Sequence, residues 1–250
     1  MEIKIPYTPR RHQAHLHKQI SRFRWNVLVC HRRFGKTVCM INHLIRSALL
    51  SKQKNPRFAY IAPTFKQAKS IAWDYMKQFT AKIPYTKFNE TELRVDLPNG
   101  SRITLLGSEN SDGLRGIYLD GCVIDEYANV NSKLFPEIIR PALSDRKGYC
   151  VFIGTPAGMN NNFYELFQHA QGASDWFSYK AKASETKIVD QEELDKAKEV
   201  MGEKKYQQEF ECDWIANIEG AVYGDIIAKM EDDKQIARVP YDPSLPYNLQ

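Results

Sequence analysis

A strand, a loop and a helix near the start of the chain limit its fold more than any other feature. Residues 27–30 form an apolar run that predicts a buried strand, and Gly35-Lys36-Thr37 follows after a turn. Apolar residues at helical spacing then continue to Leu50. In a phosphate-binding loop of this order, backbone N–H groups face the phosphates, the lysine contacts the β and γ phosphates, and the threonine hydroxyl binds Mg²⁺.

The loop departs from the usual pattern at one position. Glycine is expected at position 30, where this chain has Cys30. Glycine permits a positive φ, but another residue serves where the loop has an ordinary backbone conformation. We therefore expect a phosphate-binding loop whose first turn differs from the standard one.

Two adjacent carboxylates form the second chemical signal. Asp125 and Glu126 directly follow a short apolar strand, residues 122–124. An Asp-Glu pair alone is most often a solvated turn, because carboxylates prefer the surface. Behind a buried strand and beside a phosphate loop, the first carboxylate is suited to hold Mg²⁺ and the second to activate water.

Composition excludes several classes of protein. No apolar run approaches the roughly 20 residues that span a bilayer, and the N-terminus lacks the apolar segment of a secretory signal. We therefore expect a soluble intracellular protein. The five cysteines are odd in number and scattered, which fits neither a disulfide framework nor a zinc site, and His12, His15 and His17 have no Cys or acidic partner nearby in sequence.

Basic residues are concentrated at the start of the chain. The net charge is only +5, but eight Lys and Arg residues lie within the first 33 positions, opposed only by Glu2. This distribution favours a polyanionic partner, either nucleotide phosphates or a nucleic acid.

Apolar strands alternate with helices along the first two thirds of the chain. The strands are predicted at 27–30, 58–62, 119–125 and 149–153, and residues 93–97 and 101–106 flank the hairpin signal Pro98-Asn99-Gly100. This order predicts an α/β fold with a mainly parallel central sheet flanked by helices. Ligands of such sheets bind at the carboxyl ends of the strands.

The remainder of the chain has a different amino-acid composition. From about Ser178 it is rich in Lys, Glu and Ala, which predicts helices at 190–201 and 206–210 rather than more sheet. We expect an ATPase core at 1–177, a small helical lid subdomain at 178–235, and a proline-containing linker at 236–250.

Five segments, in order, resemble the large terminase subunit of tailed bacteriophages, the ATPase that packages viral DNA into a procapsid. They are Pro9-Arg10-Arg11-His12-Gln13, the loop His31 to Thr37, Ile61 to Ala68, Leu114-Arg115-Gly116 with Val123 to Glu126, and Ile153 to Gly158 with Phe163-Tyr164. The resemblance covers about residues 7–215. It implies a P-loop NTPase of the additional-strand (ASCE, RecA-like) type, with 236–250 leading toward a C-terminal nuclease domain that these 250 residues do not include.

The resemblance also implies roles for single residues. Gln13 reads the adenine base of ATP, Lys36 contacts the phosphates, and Thr37 and Asp125 hold Mg²⁺. Glu126 activates water, Arg32 contacts the γ phosphate, and Thr155 couples its loss to the helical lid. The expected ATP-binding residues are Gln13, Cys30, His31, Arg32, Arg33, Phe34, Gly35, Lys36 and Thr37.

The family further implies partners and a cellular location. An arginine from a neighbouring subunit completes the site, with Arg94, Arg102 and Arg115 as candidates. The partners are double-stranded DNA, the portal protein of the procapsid and the small terminase subunit. The chain is expected to be a monomer in isolation and a ring on the portal, in the host cytoplasm and absent from the mature virion.

Two other functions remain open from the sequence. One is a related helicase-type DNA-dependent ATPase, although the chain lacks the second tandem core that such helicases need. The other is a nucleotide-binding scaffold that does not hydrolyse, which only the missing glycine at Cys30 supports. Comparing ATP turnover with that of Glu126→Gln separates these alternatives.

Overall fold

One mixed sheet of eight strands organises the structure. The computed structural model describes residues 4–215, together with positions 230, 233 and 235. The chain divides into two compact units, residues 1–217 and 218–250, and almost all of the described residues belong to the first. The strands are β1 Trp25–Cys30, β2 Arg57–Ala62, β3 Lys87–Asn89, β4 Arg94–Asp96, β5 Arg102–Gly107, β6 Gly121–Ile124, β7 Tyr149–Gly154 and β8 Trp176–Ala181.

The strand order is β3-β4-β5-β2-β6-β7-β1-β8. Strands β5, β2, β6, β7, β1 and β8 run parallel to one another. At one edge, β4 pairs antiparallel with β5, and β3 pairs antiparallel with β4. The predicted mainly parallel sheet is therefore confirmed. The predicted hairpin is confirmed as β4 and β5, with Gly100 at φ +82° in its turn.

Helices and single helical turns connect the strands. The α-helices are α1 Arg11–Ile20, α2 Lys36–Leu50, α3 Phe65–Ala68, α4 Asp74–Thr80, α5 Arg140–Ala142, α6 Asn162–Gly172, α7 Ala183–Thr186, α8 Gln191–Met201 and α9 Glu203–Phe210. A π-helical segment, Lys69–Trp73, joins α3 to α4, and a second one, Phe135–Ile139, precedes α5. None of the helices that the structure describes is long and apolar enough to cross a membrane.

Each face of the sheet carries its own apolar core. Leu28 and Cys30 of β1 pack on one face with α1, α2 and α4, and Val27 and Val29 pack on the other with α6. Since both faces are covered, β1 is buried along its whole length, as central parallel strands are. A small separate cluster of Ala183, Leu194, Tyr206 and Phe210 holds the helices α7 to α9 together.

The sheet extends further than the sequence predicts. Residues 178–181 lie in β8 and pair with β1, from Ser178 opposite Val27 to Ala181 opposite Cys30. The expectation of no further sheet after Ser178 is therefore wrong, and the boundary at 177 falls within a strand. The helical segment begins at Ala183, and α8 and α9 match the helices predicted there. The linker at 236–250 lies outside the described residues.

Candidate nucleotide site

The glycine of the phosphate loop is required by both conformation and space. Gly35 precedes α2 with φ +87°, a left-handed conformation that side chains disfavour. A Cβ atom at this position would lie 2.9 Å from Nε2 of Gln13. That amide donates to the Gly35 carbonyl oxygen at 3.2 Å, so α1 fixes the loop just before α2 begins.

Position 30 does not need glycine in this loop. Cys30 is the last residue of β1, has an extended, paired backbone opposite Ala181, and buries its side chain in the core. The left-handed residue between Cys30 and Gly35 is Arg33, with φ +69°. Lys36 Nζ donates to the Cys30 carbonyl oxygen at 3.1 Å, which closes the loop back on the strand end.

Two of the loop side chains face inward. Phe34 is fully buried and meets the ring of His31 edge-on at 5.6 Å. His31 Nδ1 donates to the Arg32 carbonyl oxygen at 2.7 Å, so Nε2 accepts from the Thr186 hydroxyl at 2.8 Å. Burial lowers the pKa of His31, which keeps the ring neutral. His31 and Phe34 thus anchor the loop, and only their backbones are placed to meet a nucleotide.

Gln13 is held from both ends of its amide group. Its Oε1 accepts from the Arg10 backbone N–H at 3.0 Å and from the Tyr7 hydroxyl at 3.4 Å, while Nε2 contacts Gly35. The structure therefore places this glutamine against the phosphate loop, 4% exposed. Reading of the adenine base by Gln13 stays a prediction.

Asp125 lies directly beyond β6 and is 3% exposed. Its backbone N–H donates to the Ile61 carbonyl oxygen at 2.7 Å, which extends the pairing with β2. Its Oδ1 accepts from the Glu126 N–H at 2.9 Å, and its Oδ2 accepts from the Tyr60 hydroxyl. Burial raises the pKa of Asp125, although the Tyr60 hydrogen bond and the charge of Lys36 lower it.

Glu126 has an unusual backbone conformation, and several charged groups act on its carboxylate. Its φ of +47° and ψ of +48° place it in the left-handed region, a strained conformation for this residue type. Burial raises the pKa of Glu126; the charges of Asp125 and Glu209 raise it too, while those of Lys36 and Arg32 lower it. A buried carboxylate of raised pKa accepts a proton more readily than an exposed one.

The end of β7 lies against the backbone of Glu126. A Cβ atom on Gly154, the last residue of β7, would lie 3.6 Å from the Glu126 Cα. Thr155 follows, partly exposed, and the carbonyl oxygen of Pro156 accepts from the Gln208 side chain of α9. The next residue of α9, Glu209, accepts from the Arg32 N–H at 2.8 Å through its backbone oxygen. Helix α9 thus contacts both loops.

Sequence reasoning missed three of these residues, namely Tyr60, Gln208 and Glu209. Tyr60 reads as an ordinary apolar strand residue, and Gln208 and Glu209 read as polar positions of a surface helix. No spacing pattern links any of them to the two motifs, because their contacts depend on tertiary packing alone.

The three candidate trans-acting arginines have different surroundings. Arg94 and Arg102, on the antiparallel side of the sheet, both pair with Asp96, at 3.2 Å and 2.6 Å. Arg115 is 57% exposed and lies 3.8 Å from Glu137. The strand order separates β4 and β5, which carry Arg94 and Arg102, from the phosphate loop by β2, β6 and β7. A role for any of the three arginines in a neighbouring subunit's site stays a prediction.

The oxygen donors of Thr37 and Asp125 suit Mg²⁺. The Tyr60 hydroxyl donates to Asp125, and burial raises the pKa of Tyr60 while the nearby Thr37 side chain lowers it, so Asp125 and Thr37 both lie near this phenol. Mg²⁺ favours hard oxygen ligands and keeps several waters, so one hydroxyl and one carboxylate are a typical protein contribution. Within the part of the chain that the structure describes, no group of three His, Cys, Asp or Glu side chains forms an alternative metal site.

The fold and the arrangement of the loops recur in known proteins. Residues 29–230 match the family described as "Terminase large subunit, T4likevirus-type, N-terminal", which is more than half of the chain. The chain belongs to the terminase large subunit family.

Two curated terminase large subunits, from Thermus phage G20c and Thermus virus P23-45, are each 30% identical to it over 126 residues. Each match covers 43% of this terminase chain and 26% of the relative, so the similarity spans about a quarter of the length of these relatives.

Solved terminase structures show the same fold. The large terminase ATPase domain of Thermus phage P74-26 superposes with a TM-score of 0.71 at 22% identity, covering 84% of this chain and 95% of that one. The large terminase of another thermophilic bacteriophage, in complex with ATP-gamma-S, gives a TM-score of 0.69 at 14% identity, covering 82% of this chain and 52% of that one. The expected α/β fold class of the RecA-like type is therefore confirmed.

Proposed function

We propose that this terminase chain is an ATPase motor domain that couples ATP hydrolysis to the translocation of double-stranded DNA into a procapsid. The observation that carries the proposal is the environment of Glu126. Its carboxylate is partly buried, burial raises its pKa, and that pKa also responds to the charges of Lys36, Asp125 and Arg32. Three charged groups expected of a nucleotide-hydrolysing site thus act electrostatically on Glu126, which supports the proposal.

Each of these residues has its own role in the proposed reaction. The loop amides and Lys36 bind the phosphates of ATP, while Thr37 and Asp125 hold Mg²⁺, which neutralises charge on the phosphates when bound. Glu126 orients the attacking water and takes its proton. Arg32 stabilises the charge that develops on the γ phosphate. Thr155 senses the loss of that phosphate, and α9 carries the change to the lid.

DNA translocation extends the proposal beyond the site. The relatives are terminase large subunits, and the chain matches about a quarter of their length, so the partners follow from the family. We infer contacts with double-stranded DNA through its phosphates, with the portal protein and with the small terminase subunit, in a ring of identical subunits assembled in the host cytoplasm.

Glu126→Gln tests the assignment of the general base. The amide keeps the size of the side chain but does not accept a proton, so ATP turnover should fall by about a hundredfold or more while ATP binding persists. Turnover is measured by phosphate release and binding by equilibrium titration. Glu199→Gln, an exposed carboxylate on α8, is the matched control and should retain the wild-type rate.

Other outcomes would point to other functions. Equal turnover in the wild type and Glu126→Gln would refute the role of Glu126. No turnover in the wild type, with ATP binding intact, would favour the non-hydrolysing scaffold.

A further inference from the structure

Tyr60 lies in the interior of the sheet next to the candidate metal site. It belongs to β2, between β5 and β6, and it is fully buried. Its register partner on β6 is Val123, two residues before Asp125. Its side chain packs in the same core cluster as α2, the helix that carries Thr37. The phenol therefore lies between the strand that leads to Asp125 and the helix that follows the phosphate loop.

The hydroxyl of Tyr60 contacts Asp125 and lies near Thr37. It donates to Asp125 Oδ2, and burial raises the pKa of Tyr60 while the Thr37 side chain lowers it. The other oxygen of Asp125, Oδ1, accepts from the Glu126 N–H. Each carboxylate oxygen thus has one fixed donor, and both remain able to accept further bonds, because a carboxylate offers about four lone-pair sites.

A second tyrosine, partly buried, has a hydroxyl with a purely structural partner. Tyr149 of β7 belongs to the same face of the sheet, and its hydroxyl donates to Ser47 on α2 at 3.1 Å. Buried tyrosine hydroxyls generally find a partner, and Tyr149 satisfies this need with a neutral side chain remote from the two motifs. Tyr60 instead uses the carboxylate that follows β6.

We propose that Tyr60 is a positioning residue for Mg²⁺, which aligns the Asp125 carboxylate through the hydrogen bond from its phenol. Groups that hydrogen-bond to metal ligands orient those ligands, and their removal typically lowers metal affinity by about 10–100-fold. Asp125 is only 3% exposed, so loss of a donor to its carboxylate is costly. The inference rests on the proposed function, since it assumes that Thr37 and Asp125 bind the metal.

The test compares Tyr60→Phe with Tyr149→Phe. Binding of ATP-gamma-S is titrated at a series of Mg²⁺ concentrations and again in EDTA, and the Mg²⁺ concentration at half-maximal enhancement is the readout. We expect Tyr60→Phe to raise this midpoint about tenfold and to leave the affinity in EDTA unchanged. Tyr149→Phe should leave the midpoint within about twofold of the wild type. A structural role alone would lower the melting temperature of both variants without moving either midpoint.

Asp125→Asn separates failure of this inference from failure of the proposed function. If Asp125→Asn raises the midpoint and Tyr60→Phe does not, the role of Tyr60 is refuted and the metal site stands. If Asp125→Asn also leaves the midpoint unchanged, the metal site itself is refuted. The double variant Tyr60→Phe with Asp125→Asn carries no unpaired carboxylate, and its midpoint should equal that of Asp125→Asn alone. A further increase in the double variant would contradict action through Asp125.

Discussion

Two histidines on neighbouring helices form a buried neutral pair. His17 of α1 and His43 of α2 stack at 5.3 Å with 3.1 Å between their Nδ1 atoms, and Tyr7 contacts His17 Nε2 at 3.0 Å. Burial lowers the pKa of His17 to about 4 and that of His43 to about 3, and the charge of Arg46 adds to both shifts. The contact requires at least one neutral ring, because two imidazolium ions would repel each other at this distance.

This pair predicts a loss of stability in mild acid. Below pH 6.5 the unfolded chain binds protons on both histidines, whereas the folded chain does so only near pH 4 and pH 3. The free energy of unfolding should therefore fall as the pH falls through this window, by up to about 1.4 kcal/mol per pH unit for each histidine. Urea unfolding at about pH 7.5, 6.5 and 5.5, a series that crosses the ordinary histidine pKa, measures the slope.

The variant His43→Asn tests whether the two histidines cause this loss of stability in acid. The raised pKa values of Asp125 and Glu126 act in the opposite direction, so the comparison between variants isolates the histidines. His43→Asn should have a shallower slope than the wild type, and His169→Asn, at an exposed position, should match the wild type. An unchanged slope in His43→Asn would show that the histidine pair does not cause the pH dependence of the free energy of unfolding.

Single residues differ in how far the sequence predicts them. Gly35 could be predicted, because the Gly-Lys-Thr motif requires glycine before the lysine. Cys30 could be recognised as a departure, but the reason that it fits, an extended backbone at the end of β1, depends on pairing with β8. The inward orientation of His31 depends on Thr186, which is 155 positions away in the sequence, and no local pattern encodes such a contact.

Among the elements, α9 has the most direct connection to the site. Its Gln208 is 3% exposed, donates to the Pro156 carbonyl oxygen and accepts from Lys205 at 2.9 Å. The backbone of the next residue, Glu209, holds the Arg32 N–H. One short helix therefore connects the phosphate loop with the loop after β7.

Gln208→Met should uncouple the two loops. Methionine keeps the length of the side chain but neither donates to Pro156 nor accepts from Lys205. Because one buried hydrogen bond stabilises by about 1–1.5 kcal/mol, we expect kcat for ATP to fall about tenfold with little change in KM. Steady-state kinetics test this, with Gln207→Met, whose partner is Glu203 on the exposed side of α9, as the control. A rise in KM without a change in kcat would assign Gln208 to binding instead.

Strands β3 and β8 show why the edges of the sheet were not predicted. Strand β8 is only partly buried, and its stability comes from pairing with β1, about 150 residues earlier in the chain. Strand β3 has only three residues and pairs with β4 alone. In contrast, β1, β2, β6 and β7 are buried on both faces, and their apolar runs predict them directly.

At the scale of the whole molecule, the parallel sheet determines which motifs meet. The carboxyl ends of β1, β6 and β7 are neighbours, so the phosphate loop, Asp125-Glu126 and Gly154-Thr155 gather at one edge. The alternation of strands and helices predicted this gathering, since ligands bind at the carboxyl ends of parallel strands. It did not predict how the lid contacts the site, because that depends on the packing of α9.

A trans-acting arginine predicts that turnover depends on assembly. Arg115 is 57% exposed, against 23% for Arg94 and 33% for Arg102, so on exposure alone we favour Arg115 for contact with a neighbouring subunit. Turnover per molecule should rise with protein concentration, and Arg115→Ala should abolish the rise. Phosphate release over a concentration series measures this. Arg140→Ala, another exposed arginine, should behave as the wild type. A flat series for the wild type would argue against a trans-acting group.

The burial of every cysteine in the chain makes this protein convenient for fluorescence work. All five thiols are free and buried, and burial raises the pKa of Cys39 and Cys212 to about 12, so little reactive thiolate forms at neutral pH. Val200 on α8 is 89% exposed. A maleimide dye added to Val200→Cys should therefore label the lid alone, with the native cysteines left in place, and report its motion during turnover in single molecules.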